Sequence, residues 1–288
     1  MIITEYDGIV DPRRPNGAYS TIQEADDALD GGPYNLYVKS GGYAGFTVST
    51  DHVRITVEER STITSAITLS GNGVCLRLGV GCDVQSLITL SGIGCSLICE
   101  NGVDLDGISI TGARCYTDGG GWDTLSDGAA ASHGLNVAGV DCITENLTTQ
   151  TTGGGFDGVN VSAARTCLSS LKVVDSINDG IAIVAAGTDT CILSTIVLGA
   201  DSDNVEINGP RCRVIGAYLV AAGGNGVNID GTGDNSLCVG NVVKDATGNI
   251  VDIHADAEDC VVVGNRTDGA PVDASLTSIV LDNDTTAF

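Results

Sequence analysis

The 288-residue chain sets 37 Asp and Glu against 13 Lys and Arg, a formal charge of −24, and is 42% hydrophobic. Phosphate contacts need Lys and Arg, so this balance excludes nucleic acid as a partner. No run approaches the roughly 18 apolar residues of a membrane span, which excludes insertion by a helix.

The chain opens Met1-Ile2-Ile3-Thr4-Glu5-Tyr6-Asp7, without the basic start and apolar stretch of a signal peptide. Residues 20–29 have helical apolar spacing and a capping-box start: Ser20 or Thr21, with Gln23 or Glu24 three positions on. Gly31-Gly32 ends the segment. A solenoid needs its open end covered, and this helix is expected to cap the first coil.

The runs Tyr19-Ser20-Thr21-Ile22-Gln23-Glu24-Ala25 and Leu36-Tyr37-Val38-Lys39-Ser40-Gly41-Gly42-Tyr43 resemble the opening of pectate-lyase-like right-handed parallel β-helices. That superfamily holds pectin esterases, polysaccharide lyases and hydrolases, and phage tailspike and virion proteins. The resemblance implies a fold and leaves the activity open.

Nine of eleven cysteines then recur at steps of 20 to 27 residues: Cys75, Cys95, Cys115, Cys142, Cys167, Cys191, Cys212, Cys238 and Cys260. A second ladder keeps the same period. Asp106, His133, Asp157, Asp179, Asp203, Asn225 and Asn249 each stand two residues before an apolar–x–apolar triplet such as Val159/Val161 or Ile181/Ile183. The triplet is a short strand with one buried face, and the Asx-Gly before it is turn chemistry. Val53-Arg54-Ile55 sits one coil before Val74-Cys75-Leu76. The expected fold is therefore all-β: a single-stranded right-handed parallel β-helix of about ten coils of 20–27 residues with an N-terminal capping helix. Residues 1–45 form the capping segment and first strand, 46–265 the β-helix, and 266–288 a C-terminal cap or tail, in one structural domain.

Side chains on neighbouring coils run parallel at about 4.8 Å, wider than the Cβ separation of a disulfide, so the cysteines read as a reduced, inward stack marking one position per coil. Cys212-Arg213-Val214 and Cys75-Leu76-Arg77 imply opposite facings, however. Cys82 and Cys99 lie off the ladder and are the better candidates for a cross-link. No CxxC pair or Cys/His cluster offers a zinc site.

The first strand of each coil points one residue outward: Ser109, Asn136, Asn160, Ala182, Glu206, Asn228 and Asp252. In enzymes of the resembled superfamily this sheet often lines the substrate groove. Glu206 and Asp252 lie two coils, about 9.6 Å, apart, at the outer edge of the roughly 6.5–9.5 Å of an inverting glycosidase pair. They are the catalytic candidates. β-Elimination of a polyuronate needs cations to neutralise the carboxylate, and this stripe has no Lys or Arg. Asp157, Asp179 and Asp203 would suit Ca²⁺, the one cofactor weighed, but their place before Gly favours turn capping.

The two longest insertions occupy adjacent coils: residues 116–127, with Asp118, Trp122, Asp123 and Asp127, and residues 151–156, with Phe156. An aromatic in an Asp-rich loop would stack on a sugar or anchor a neighbouring subunit, so these five are the contact candidates. The leading expectation is a non-enzymatic virion protein of a tailed phage, a capsid decoration, spike or fibre subunit. It would assemble in the host cytoplasm as a homotrimer beside other virion proteins and against a host surface glycan. The rivals are a glycan-active β-helix of tailspike depolymerase or hydrolase type, and an adhesin that binds carbohydrate without turnover.

Overall fold

A computed structural model describes residues 6–13, 19–29, 31–121, 125–126, 133–151, 155–268, 272–273 and 278–281. Its strands stack in parallel into three sheets, here A, B and C, of 13, 11 and 11 strands among the described residues. One coil runs from sheet A (Cys167–Ser169) to B (Lys172–Val174) to C (Ile181–Ile183) before returning to A at Cys191–Leu193. Each strand pairs with its equivalent one coil on, as Cys167 aligns with Cys191 and Val159 with Ile181.

Strands this short are stable only because every one buries its inward side chain against the other two sheets. The inward column of sheet A reads Leu76, Leu97, Thr117, Thr144, Leu168 and Ile192, all buried. The two threonines sit in the coils that carry the insertions. There the core turns partly polar, and Ser126 of sheet B donates inward to the Gly134 carbonyl at 2.6 Å.

The helix Ile22–Ala28 is capped as its sequence implies: Thr21 Oγ1 accepts the Glu24 N–H at 3.0 Å, and Glu24 reaches back to the Ser20 N–H at 2.9 Å. Ile22 and Ala25 are buried, and Gln23 Oε1 accepts the Thr47 N–H on the first strand of sheet C at 2.9 Å. The helix thus covers that open edge. The boundaries at 46 and 265 are not structural ones. Gly8–Val10 and Asn35–Val38 already belong to sheet A, and Ile279–Leu281 extends it past residue 265.

The cysteine ladder needs a larger correction. Cys75, Cys167 and Cys191 begin sheet A strands and face outward, half-buried. Cys95, Cys115, Cys142, Cys212 and Cys260 stand one residue earlier, at the corner, fully inward. Cys238 is the inward residue in mid-strand. The nine mark three adjacent positions rather than one, because corner, outer strand surface and core all accept a small apolar side chain. All eleven cysteines are free, Cys82 and Cys99 being buried. No helix among the described residues is long and apolar enough to cross a membrane.

Candidate functional site on sheet C

The outward stripe of sheet C is in register along its whole length. Thr47, Thr68, Thr89, Ser109, Asn136, Asn160, Ala182, Glu206, Asn228 and Asp252 align one per coil. Hydroxyls give way to amides and then to acids toward the C-terminal end. Asn160 Nδ2 donates to Asn136 Oδ1 at 2.8 Å, stacking amide on amide. Glu206 and Asp252 are separated by the single coil of Asn228.

Beside the stripe runs the Asx ladder, and its geometry is a continuous relay. His133 Nδ1 accepts the Asp157 N–H at 3.0 Å, Asp157 Oδ1 the Asp179 N–H at 3.3 Å, and Asp179 Oδ1 the Asp203 N–H at 2.9 Å. Asp203 Oδ1 accepts the Asn225 N–H at 2.5 Å, and Asn225 Oδ1 the Asn249 N–H at 2.8 Å. Each side chain therefore satisfies a backbone donor of the next coil, at the corner where no strand ladder can do so. Because His133 accepts at Nδ1, its ring proton sits on Nε2.

Further donors reach the carboxylates of the ladder. Asn178 Nδ2 donates to Asp157 Oδ1 at 2.7 Å, and Asn228 Nδ2 to Asp203 Oδ2 at 3.0 Å. His133 Nδ1 lies 3.4 Å from Asp157 Oδ2. Burial pushes the carboxyls of Asp157 and Asp203 up, against the pull of these donors. Burial also raises Glu206, with the negative charge of Asp179 as the next cause. Asn178 was not among the residues singled out from sequence; its signal is an Asn directly before the Asp-Gly turn. Among the described residues no three His, Cys, Asp or Glu side chains converge as metal ligands.

Of the five contact candidates, only Asp118 and Phe156 lie among the described residues. Asp118 ends a strand of sheet A, where its Oδ1 accepts the Gly120 N–H at 2.9 Å and Asn146 Nδ2 at 3.1 Å. It is a strand and turn residue, not a loop contact. Phe156 lies on the corner between sheets B and C, edge-on to the His133 ring with centroids 5.2 Å apart. Trp122, Asp123 and Asp127 lie outside the described residues.

No protein-family profile matches the chain, and no curated protein matches it in sequence. Solved structures do match in fold. The A-module of Azotobacter vinelandii mannuronan C-5 epimerase AlgE6 superposes with a TM-score of 0.67 at 13% identity, over 92% of this chain and 90% of that one. The AlgE4 A-module from the same organism gives 0.65 at 14%, over 91% and 88%. The Dettilon tailspike protein gives 0.57 at 12%, over 92% of this chain and 61% of the tailspike. The chain shares the right-handed parallel β-helix fold of these proteins. At these identities the likeness carries the fold alone.

Proposed function

We propose that this chain is a non-enzymatic structural subunit of a tailed-phage virion, a β-helical decoration, spike or fibre protein that assembles as a homotrimer with other virion proteins. The observation that carries the reading is the use made of the acids along the corner beside sheet C. Asp157, Asp179 and Asp203 spend their oxygens on backbone and amide donors between coils. They are construction elements of the rod. The stripe next to them holds hydroxyls and amides, which suit hydrogen bonding to a host surface glycan, besides the acids Glu206 and Asp252, and no cation to neutralise a uronate carboxylate. The tailspike neighbour is in keeping with this reading.

Mass spectrometry and antibody labelling of purified particles test it: the chain is expected in stoichiometric copy number on the virion surface. Its absence from the particle overturns the proposal. One observation favours a second reading, glycan hydrolysis: Glu206 is half-buried with its carboxyl raised, as a general acid requires, two coils from Asp252. Release of reducing ends from host polysaccharide, lost in Glu206→Gln and Asp252→Asn, would establish that reading instead.

A further inference from the structure

The outer surfaces of sheets A and B change character halfway along the rod. In the N-terminal half they carry acids at outward positions: Asp83 and Asp104 on sheet B, Asp118 and Glu145 on sheet A. From Cys167 onward they carry none. The strands and tight corners spanning 167–174, 191–198, 213–220, 237–244 and 261–267 contain no Asp or Glu, in a chain where acids make up 37 of 288 residues.

Sheet A offers twelve outward positions from Cys167 to Leu281, and sheet B nine from Lys172 to Arg266. Sixteen of them are apolar, among them Leu193, Ile215 and Val239 in one register row and Ile196, Tyr218 and Val242 in another. The only charges are cationic: Lys172, Arg213, Lys244 and Arg266. Two of the three lysines of the chain are here. A contiguous apolar surface of this extent is unusual on a monomer and marks an interaction site.

We propose that this acid-free face of sheets A and B is the surface through which a second copy of this chain packs. Charge decides the occupant. Two rods of charge −24 repel wherever acids meet, and this is the surface on which none do. The rim supplies the complement. Exposed Asp175, Asp201, Asp245 and Asp268 follow four of the five sheet B strands of this half, within reach of the face cations of an adjacent copy. Face against rim is a heterologous contact, which closes into a ring when the rotation permits. The twenty-one residues of the face match the roughly 20–30 that one side of a standard stable interface supplies. The trimeric stoichiometry rests on the virion reading above; the surface does not.

Sedimentation of the purified chain at micromolar concentration tests the proposal. The wild type is expected at a multiple of 29.2 kDa, and Ile215→Asp at 29.2 kDa itself with its far-UV circular dichroism unchanged. Should the aspartate variant not fold, Ile215→Ser is expected to shift the same equilibrium toward monomer. Thiol alkylation gives an independent readout. Cys167 and Cys191 lie on the face and Cys75 lies on sheet A outside it, all three half-buried. In the wild-type assembly Cys75 should be alkylated while Cys167 and Cys191 are protected, and Ile215→Asp should release that protection. A wild type at 29.2 kDa, an assembly indifferent to both Ile215 variants, or equal alkylation of the three cysteines overturns the proposal. A monomer would leave the particle analysis above to judge the virion reading separately.

Discussion

The Cys142 thiol donates to the carbonyl oxygen of Gly112, 3.3 Å away and one coil earlier. Cys115 stands in the same relation to Gly92 at 3.4 Å, and Cys95 to Gly71 at 3.1 Å. The inward cysteines are therefore corner donors as well as core residues. Their acceptors are glycines for a steric reason: a Cβ on Gly112 would lie 2.0 Å from the Gly92 oxygen, and one on Gly139 1.9 Å from the Gly112 oxygen. The corner carbonyls point along the rod, and only a residue without a side chain lets the next coil close on them.

Gly112→Ala should therefore destabilise the rod by about 3 kcal/mol or more, because the obstructing atoms are backbone and cannot turn aside. Gly94→Ala is the control. Its φ is +70° but nothing lies within 4 Å of the added methyl, so only left-handed strain of roughly 1–2 kcal/mol applies. Cys142→Thr should be mild, since Thr190 occupies the equivalent corner and donates to the Gly187 carbonyl at 2.8 Å. Thermal melts of the three variants check the order.

How much of this was legible from sequence differs by ladder. The Asx-Gly triplets place sheet C residue for residue, because an apolar–x–apolar strand has only one residue to point outward. Glu206, Asn228 and Asp252 fall where their spacing put them. The cysteines mislead because a shift of one residue reverses facing while hardly changing the step: Cys191 lies outward and Cys212 inward, 21 residues apart. The acid-free face escaped notice because each of its strands contributes two residues to it, and pattern reading follows the inward column. Trp122 stands out in the sequence as the single tryptophan, but it lies outside the described residues.

Acidity should strengthen this rod before it weakens it. The carboxyls of Asp157, Asp203 and Glu206 are raised by burial above their unfolded values near 4. Each therefore contributes stability that is complete below about pH 4 and lost as pH rises through its folded value. The opposite window belongs to Glu58, lowered chiefly by the Ser40 N–H, whose contribution is lost only as pH falls below the ordinary carboxylate range. The melting temperature should rise as pH falls from neutrality toward the ordinary carboxylate range. In the triple variant Asp157→Asn, Asp203→Asn, Glu206→Gln that rise should shrink, and a profile identical to wild type would refute the assignment. Asparagine keeps the relay, as Asn225 does natively.

Two members of the ladder lack the following glycine, with Asn204 and Ile250 in its place, and a compensating change faces the first. Gly158, Gly180 and Gly226 follow their Asx residues, and a Cβ on each would strike Cγ1 of Val173, Val197 and Val243 at 2.3, 2.4 and 2.2 Å. The equivalent residue in the coil between the last two is Asn204, and the sheet B position aligned with Val197 and Val243 is Leu219. Leucine branches one carbon further out, which leaves room for a Cβ where valine does not. Asn204 is fully buried, with neither amide atom hydrogen-bonded. Leu219→Val should thus cost more than its lost methylene, about 1 kcal/mol, by driving a branch into Asn204. Asn204→Gly should lift that excess and remove an orphaned amide, whose burial costs about 1–3 kcal/mol. The double variant Asn204→Gly, Leu219→Val should then be at least as stable as wild type. A cycle of denaturant melts measures the coupling, expected at about 1 kcal/mol or more, and strict additivity would show that the two positions do not sense each other.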